Sequence, residues 1–234
     1  MKLFAIGDLH LPGGDEKPMN VFGDHWDHHF ARICEDWQAR VAADDVVLIP
    51  GDITWAMHMD KATVDLQAIG SLPGKKIMIR GNHDYWWSSI NRVRLACPEG
   101  LYALQNDAMD LGSMIVCGSR GWSIPTKDTP LGPEDVKILN RELIRMELSL
   151  QAAKKLQQKN NAPLVVMMHF PPLYDQERQT AFTALMEQYG AAHVIYGHLH
   201  GIGIKVGYTG EWQGTNYHLT SCDALDFKLK EIAL

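Results

Sequence analysis

The sequence predicts an α/β fold, with a mainly parallel sheet in its first half and antiparallel strands added in its last third. Three observations predict it. Short apolar, β-branched runs alternate with amphipathic stretches along most of the 234 residues. The first half reads strand, helix, strand, whereas the last third sets strands close together without helices between them. Finally, five of the apolar runs stop at a residue able to ligate a metal: Leu3–Ile6 before Asp8, Val46–Ile49 before Asp52, Ile77–Ile79 before Asn82, Val165–Met168 before His169 and Val194–Tyr196 before His198. This pattern leaves open one mixed sheet or two stacked sheets.

Taken in order, the expected strands are Leu3–Ile6, Val46–Ile49, Lys76–Ile79, Met114–Cys117, Leu164–Met168, Val194–Tyr196, Ile202–Val206, Tyr217–Thr220 and Phe227–Ile232. Between Val21 and Val41, the residues Trp26, Phe30, Ile33, Trp37 and Val41 recur every three or four positions, which makes one helical face. A second helix opens at Pro133 and Glu134, runs to Lys159, and carries Leu139, Leu143, Met146 and Leu150 on one stripe. Its other face, with Arg141, Arg145, Lys154, Lys155 and Gln158, reads as a solvated surface. Pro12–Gly23 reads as a loop insertion. No repeat, low-complexity segment or boundary interrupts the chain, so residues 1–234 are expected to form a single domain.

Composition narrows the setting. Hydrophobic residues make up 46%, enough for an ample core, and the formal charge of -6 argues against nucleic acid or an anionic membrane as partner. Cys34, Cys97, Cys117 and Cys222 have no CxxC spacing, which points to reduced thiols rather than disulfides or structural zinc. The apolar start is too short for a signal peptide, and no uncharged run reaches the ~18 residues of a membrane span. A cytoplasmic protein is expected.

The chemistry lies at the strand ends. Asp8, His10, Asp52, Asn82, His169, His198 and His200 offer the carboxylate, imidazole and amide donors that divalent ions favour. In extended chain, residues two apart point the same way, so Asp8 with His10, and His198 with His200, are expected to converge. Seven ligands exceed the needs of one ion; two ions sharing a carboxylate fit better. Two divalent ions, offset by Asp8, Asp52 and a bridging hydroxide, leave a first shell about one charge positive. Such a pocket attracts an anion. Ions ~3.5–4 Å apart stabilise both oxygens of an in-line displacement and generate the nucleophile from water, without a GxSxG elbow or Cys–His pair. Phosphoester hydrolysis follows from the site.

Asp8-x-His10, Gly51-Asp52, Gly81-Asn82-His83-Asp84, His169 and Gly197-His198-x-His200 resemble, in order, the five motifs of the calcineurin-like metallophosphoesterases. The resemblance spans most of the chain and lacks no ligand. It implies a four-layer α/β/β/α sandwich with a dinuclear site at its sheet edges. It further implies that Asp8, His10, Asp52 and His200 hold one ion, and that Asp52, Asn82, His169 and His198 hold the other, with Asp52 bridging. His83, the motif residue that is not a ligand, is implied to contact the phosphate and to protonate the leaving alkoxide. Arg80 matches the arginine of the RGNH form, which implies a phosphate contact. Trp55 stands where purple acid phosphatases carry a tyrosine, so a phenolate-bound ferric ion is not expected; manganese, iron and zinc are the candidate metals. The GDxxDRG of protein phosphatases is also missing after Asp52.

Other residues carry weaker signals. Asp84 is a candidate for holding the His83 imidazole, and Arg120, in Gly118-Ser119-Arg120-Gly121-Trp122, for a second anion contact. Trp55, Trp86 and Trp87 read either as an aromatic wall against a substrate ring or as core. His25, His28 and His29 read as helix residues facing partly outward, and Cys222-Asp223 as a strand end or a support to the ligands. The leading expectation is a hydrolase of a small phosphomonoester or phosphodiester. The rivals are a nuclease, disfavoured by the absence of a basic stripe, and a non-catalytic metal-binding scaffold of the same fold, disfavoured by the presence of His83.

Overall fold

The computed structural model describes residues 1–14, 19–126 and 129–234. Residues 15–18 of the expected Pro12–Gly23 insertion, and residues 127–128, lie outside them. Two mixed sheets form. The first contains β1 (Leu3–Ala5), β2 (Val46–Ile49), β3 (Lys75–Met78), β4 (Leu101–Ala103) and β11 (Lys230–Ile232), in the order β11-β1-β2-β3-β4. β1 to β4 are parallel and β11 is antiparallel. The second contains β5 (Ala108–Asp110), β6 (Ile115–Ser119), β7 (Leu164–Met168), β8 (Ala191–Tyr196), β9 (Gly210–Trp212) and β10 (Thr215–Leu219), in the order β5-β6-β7-β8-β10-β9. Its antiparallel members, β5 and β9, are the edges.

Period-2 burial explains the layering. Leu3, Ala5, Val46, Leu48 and Ile77 on the first sheet meet Val116, Val165, Met167 and Ile195 of the second, and form the core between the sheets. The alternate residues Phe4, Val47, Ile49 and Met78 face outward. They pack against Ile33 and Trp37 of α1 (His29–Arg40), Leu66 and Ile69 of α2 (Met59–Gly70) and Val93 of α3 (Ile90–Ala96). On the opposite side Cys117, Val166, Val194 and Tyr196 pack against Met146 and Leu150 of α4 (Pro133–Asn160) and Phe182 and Met186 of α5 (Ala181–Tyr189). The expected α/β/β/α sandwich is thus borne out, with two sheets rather than one.

Local chemistry ends the helices where the sheets need them to end. Pro133 opens α4 and Asn161 closes it in the left-handed conformation. Thr180 and Thr183 form a reciprocal cap on α5. Lys76, 2% exposed in the middle of β3, donates its ammonium to the Gly70 and Leu72 carbonyls at 3.0 and 2.6 Å. A cation at a helix C-terminus satisfies those carbonyls and ties α2 to the sheet.

Several expected elements differ. Ile202–Val206 is a 3₁₀ helix (Gly201–Val206), with Ile202 84% exposed. Its β-branched composition reads as strand, but β8 and β10 are parallel neighbours. The chain after β8 must therefore return to the other end of the sheet, and this segment lies on that return. The expected strand Phe227–Ile232 shortens to β11, because Phe227 adopts a left-handed φ of 58°. The helix expected from Val21 begins only at His29, with Trp26 in a separate 3₁₀ turn. Short β4, β5 and β9, and helices α2, α3 and α5, were not among the expectations; three-residue strands carry too little alternation to register.

Ser149 on α4, wholly buried, accepts the Gly118 N–H at 2.8 Å and donates to the Asp107 carbonyl at 2.6 Å. Ser149→Ala leaves both backbone groups without this partner, and should lower unfolding free energy by about 1–3 kcal/mol in a urea titration.

Candidate metal centre

The carboxyl ends of β1, β2 and β3 meet those of β7 and β8 along one seam. Beyond β1 the chain keeps pairing: Asp8 N–H donates to the Gly51 carbonyl and His10 N–H to the Asp52 carbonyl, both at 3.0 Å. Hydrogen bonds then cross between the sheets. Gly7 N–H donates to the Thr220 carbonyl at 2.7 Å, His198 N–H to the Asp8 carboxylate at 3.0 Å, and His169 Nδ1 to the Pro50 carbonyl at 3.0 Å. Asp8, His10, Asp52 and His198 have φ values of 56°, 46°, 51° and 73°. The expected convergence of Asp8 with His10 therefore arises from tight left-handed turns, not from strand alternation. Backbone strain of this kind persists where surrounding contacts over-determine it.

All seven expected ligands gather here. Asp8, His10 and His200 form one group and Asp8, Asp52 and His169 another, with the donor atoms of each group within 4.8 Å of one another. His10 Nε2 is 3.3 Å from His200 Nε2. Asn82 Oδ1 lies 2.6 Å from His169 Nε2 and 3.0 Å from His198 Nδ1. Asp52 Oδ2 stands between the two sets, 3.8 Å from His10 Nε2 and 3.5 Å from His169 Nε2. Asp8 is nearer His169 Nδ1, but that nitrogen is engaged by Pro50, which leaves Nε2 as the free donor. This favours Asp52 as the shared carboxylate.

These residues fit a pair of cations. The Pro50 carbonyl can only accept, so it fixes the His169 proton on Nδ1 and turns the Nε2 lone pair on the Asn82 oxygen. Two acceptors 2.6 Å apart repel unless a positive charge sits beside them. Asp223 likewise accepts from His200 Nδ1 at 2.8 Å, which frees Nε2 for the pocket. The charges agree. Burial, the Asp84 charge and then the Asp8 charge push the Asp52 carboxyl up. Burial opposes ionisation of Asp8 as well, but the His200 hydrogen bond and the neighbouring imidazoles hold it below the usual range. Burial pushes His10 and His198 down to about 3. His200 goes the other way, up to about 10, because Asp223 and Asp8 outweigh its burial. His10 and His198 are thus kept as neutral donors, whereas His200 is held charged between the Asp8 and Asp223 carboxylates.

Neighbouring backbone fits closely around the two carboxylates. A Cβ on Gly81 would sit 2.0 Å from Asp52 Oδ1, and one on Gly197 2.2 Å from Asp8 Oδ2. Asp84 does not hold the His83 imidazole. Its carboxylate accepts the N–H groups of Asp52, Ile53, Thr54 and Gly81 and the Trp86 indole. It therefore locks the two ligand turns together. Adjacent residues pointing apart explain the difference. His83 itself is half-buried, with its N–H on Asp52 Oδ1 at 2.8 Å and the Tyr85 hydroxyl 3.4 Å from Nδ1. Its ring lies 4.5 Å from that of Trp55, which also stacks on His10 at 4.7 Å. Burial lowers the His83 pKa.

The pocket over the ligands has a volume of about 290 Å³, and His83, Trp55, Met19, Phe22, His25 and Trp26 line it. Trp86 and Trp87 are core instead. His29, expected to face partly outward, is buried with a ring nitrogen on the Leu9 carbonyl. Arg80 and Arg120 do not line this pocket; both line a second cavity, with Arg141 and Arg145 of the face expected to be solvated. Asp223 could be only suspected of support from the sequence, since nothing in its spacing ties it to His200. Among the described residues, no helix is long and apolar enough to cross a membrane.

Residues 1–201 match the family model described as calcineurin-like phosphoesterase. Among solved structures, TT1561 of Thermus thermophilus aligns with a TM-score of 0.54 at 13% identity, covering 98% of this chain and 96% of that one. A protein of unknown function from Aquifex aeolicus, AQ665, aligns at 0.47 and 16% identity, over 98% and 95% of the two chains. No curated protein matches the sequence.

Asp223→Ala should weaken manganese binding about 10–100-fold by calorimetry, the usual effect of removing a ligand's support. Asp52→Asn should reduce the occupancy of both ions together in elemental analysis.

Proposed function

The chain belongs to the calcineurin-like phosphoesterases, and from that premise we propose that it hydrolyses a small phosphomonoester or phosphodiester, with His83 as general acid. The observation that carries this reading is the division of labour in one pocket. Seven donors gather below, while His83 lines the same pocket with its backbone N–H on Asp52 and its ring edge-on to His10, 5.8 Å between centroids.

Asp8, His10, Asp52 and His200 would hold one divalent ion and Asp52, Asn82, His169 and His198 a second, and the pair would supply Lewis acidity and lower the pKa of water towards neutrality. Manganese, iron and zinc all suit these donors. The chain's own residues do the rest. Asp84 fixes the Asp52 and Gly81 turns relative to each other. Asp223 and the Pro50 carbonyl set the faces that His200 and His169 present. Trp55 packs against His83 and limits its rotation, so that the imidazole can deliver a proton to the departing alkoxide oxygen. Met19, Phe22, Trp26 and Trp55 form an apolar flank that suits an organic group on the ester and excludes water from it. Four free thiols support a cytoplasmic setting.

Manganese-loaded protein should hydrolyse bis-p-nitrophenyl phosphate or p-nitrophenyl phosphate. Absence of turnover on both, with metals bound, would favour the scaffold reading. His83→Ala should keep its metal content and lose roughly 10²–10⁴ in kcat with a poor alkyl leaving group. The loss with p-nitrophenolate should be much smaller, and equal losses would contradict the acid role.

A further inference from the structure

The second cavity, about 320 Å³, has a chemistry opposite to the first. Among the described residues, Arg80, Arg120, Arg141 and Arg145 line it against a single carboxylate, Glu142, in a chain whose formal charge is -6. Glu142 is 1% exposed and already serves two of the four, Arg120 at 3.2 Å and Arg145 at 2.7 Å. Arg80 and Arg145 both repel the Arg120 guanidinium. Arg141 forms no ion pair among the described residues. One carboxylate against four guanidinium groups leaves the cavity wall strongly positive.

Buried donors in the same cavity also lack partners. Arg80 Nε, Arg120 Nε and Ser119 Oγ are buried and find no hydrogen-bond partner among the described residues. Gln105 Oε1 accepts the Trp87 indole N–H at 2.8 Å, which leaves the amide nitrogen of Gln105 to donate. Native proteins rarely leave buried polar groups unmet, and three from adjoining positions of one cavity ask for a common acceptor. Guanidinium forks match phosphate oxygens in pairs.

We propose that this cavity is a second oxyanion site, which holds a phosphate group outside the metal pocket. Its walls are tied to the centre: Arg80 precedes Gly81 directly, and the Arg120 carbonyl accepts the N–H groups of His169 and Phe170, each at 3.0 Å. The phosphate is either the distal group of a substrate that carries two, or a separate anion. The site does not depend on the chain being a hydrolase.

Titration of metal-loaded, full-length protein with inorganic phosphate tests it. Arg141→Glu should weaken one binding event tenfold or more, Arg141→Lys should largely retain it, and Arg94→Glu, on the surface pair with Asp107, should leave it unchanged. Arg145→Glu provides a second variant, with thermal unfolding as the check on folding. Identical isotherms for the wild type and both folded glutamate variants would overturn the proposal. Kinetics with p-nitrophenyl phosphate and a nucleoside 3′,5′-bisphosphate then separate the sources. A tenfold rise in KM confined to the bisphosphate assigns the site to substrate. Unchanged KM with weakened phosphate binding assigns it to a separate anion. Failure to hydrolyse any ester would count against the proposed function, while the isotherms would still decide the oxyanion site by themselves.

Discussion

The Asp8 carboxylate accepting the His198 N–H is the contact on which the arrangement turns. It joins the end of the first sheet to the end of the second where five ligand-bearing segments must meet. Asp8 is wholly buried and lies beside imidazoles rather than lysine or arginine. A buried anion in that position is strongly destabilising unless it is hydrogen-bonded and matched by positive charge. The backbone supplies the hydrogen bonds, and the cations that the donors fit would supply the charge. The same constraint governs Asp52, whose ionisation is opposed by burial and by Asp84. Structure and chemistry therefore share one requirement at the seam.

Much of the site was legible because its ligands follow strand ends, where apolar runs stop abruptly at Asp, Asn or His. The central strands were legible for a related reason: buried on both faces, Val46–Ile49 and Leu164–Met168 read as unbroken apolar segments. What escaped depends on long-range geometry. Asp84 sits beside His83 in sequence, yet its acceptors serve a turn some thirty residues away. Asp223 reaches His200 only because the return after β8 and the turn after β10 end side by side. Asp65, which accepts the Gly13 N–H at 2.7 Å and also binds the Thr54 hydroxyl, gave no signal at all. The segment 202–206 misled because β-branched composition cannot distinguish a strand from an exposed return. The α4 arginines read as a solvated face because no sequence pattern reveals that Arg80 and Arg120 stand opposite them.

The metal pocket and the arginine-lined cavity have opposite linings. One sets aromatic and thioether groups beside the metal ligands, and the other gathers guanidinium groups away from them. A net negative chain places four arginines around one hollow, while its site ligands bring only two of its carboxylates. Net charge alone would miss both.

The left-handed turns at Asp8, His10, Asp52 and His198 have an evolutionary corollary. Glycine would occupy such backbone more comfortably than any of these four residues, by about 1 kcal/mol per position. Selection for heat resistance alone would not place glycine at all four, because the Asp8 and Asp52 carboxylates accept the His198 and His83 N–H groups that fasten the seam. Aspartate and histidine in this geometry mark turns where backbone ease is given up for what the side chains hold.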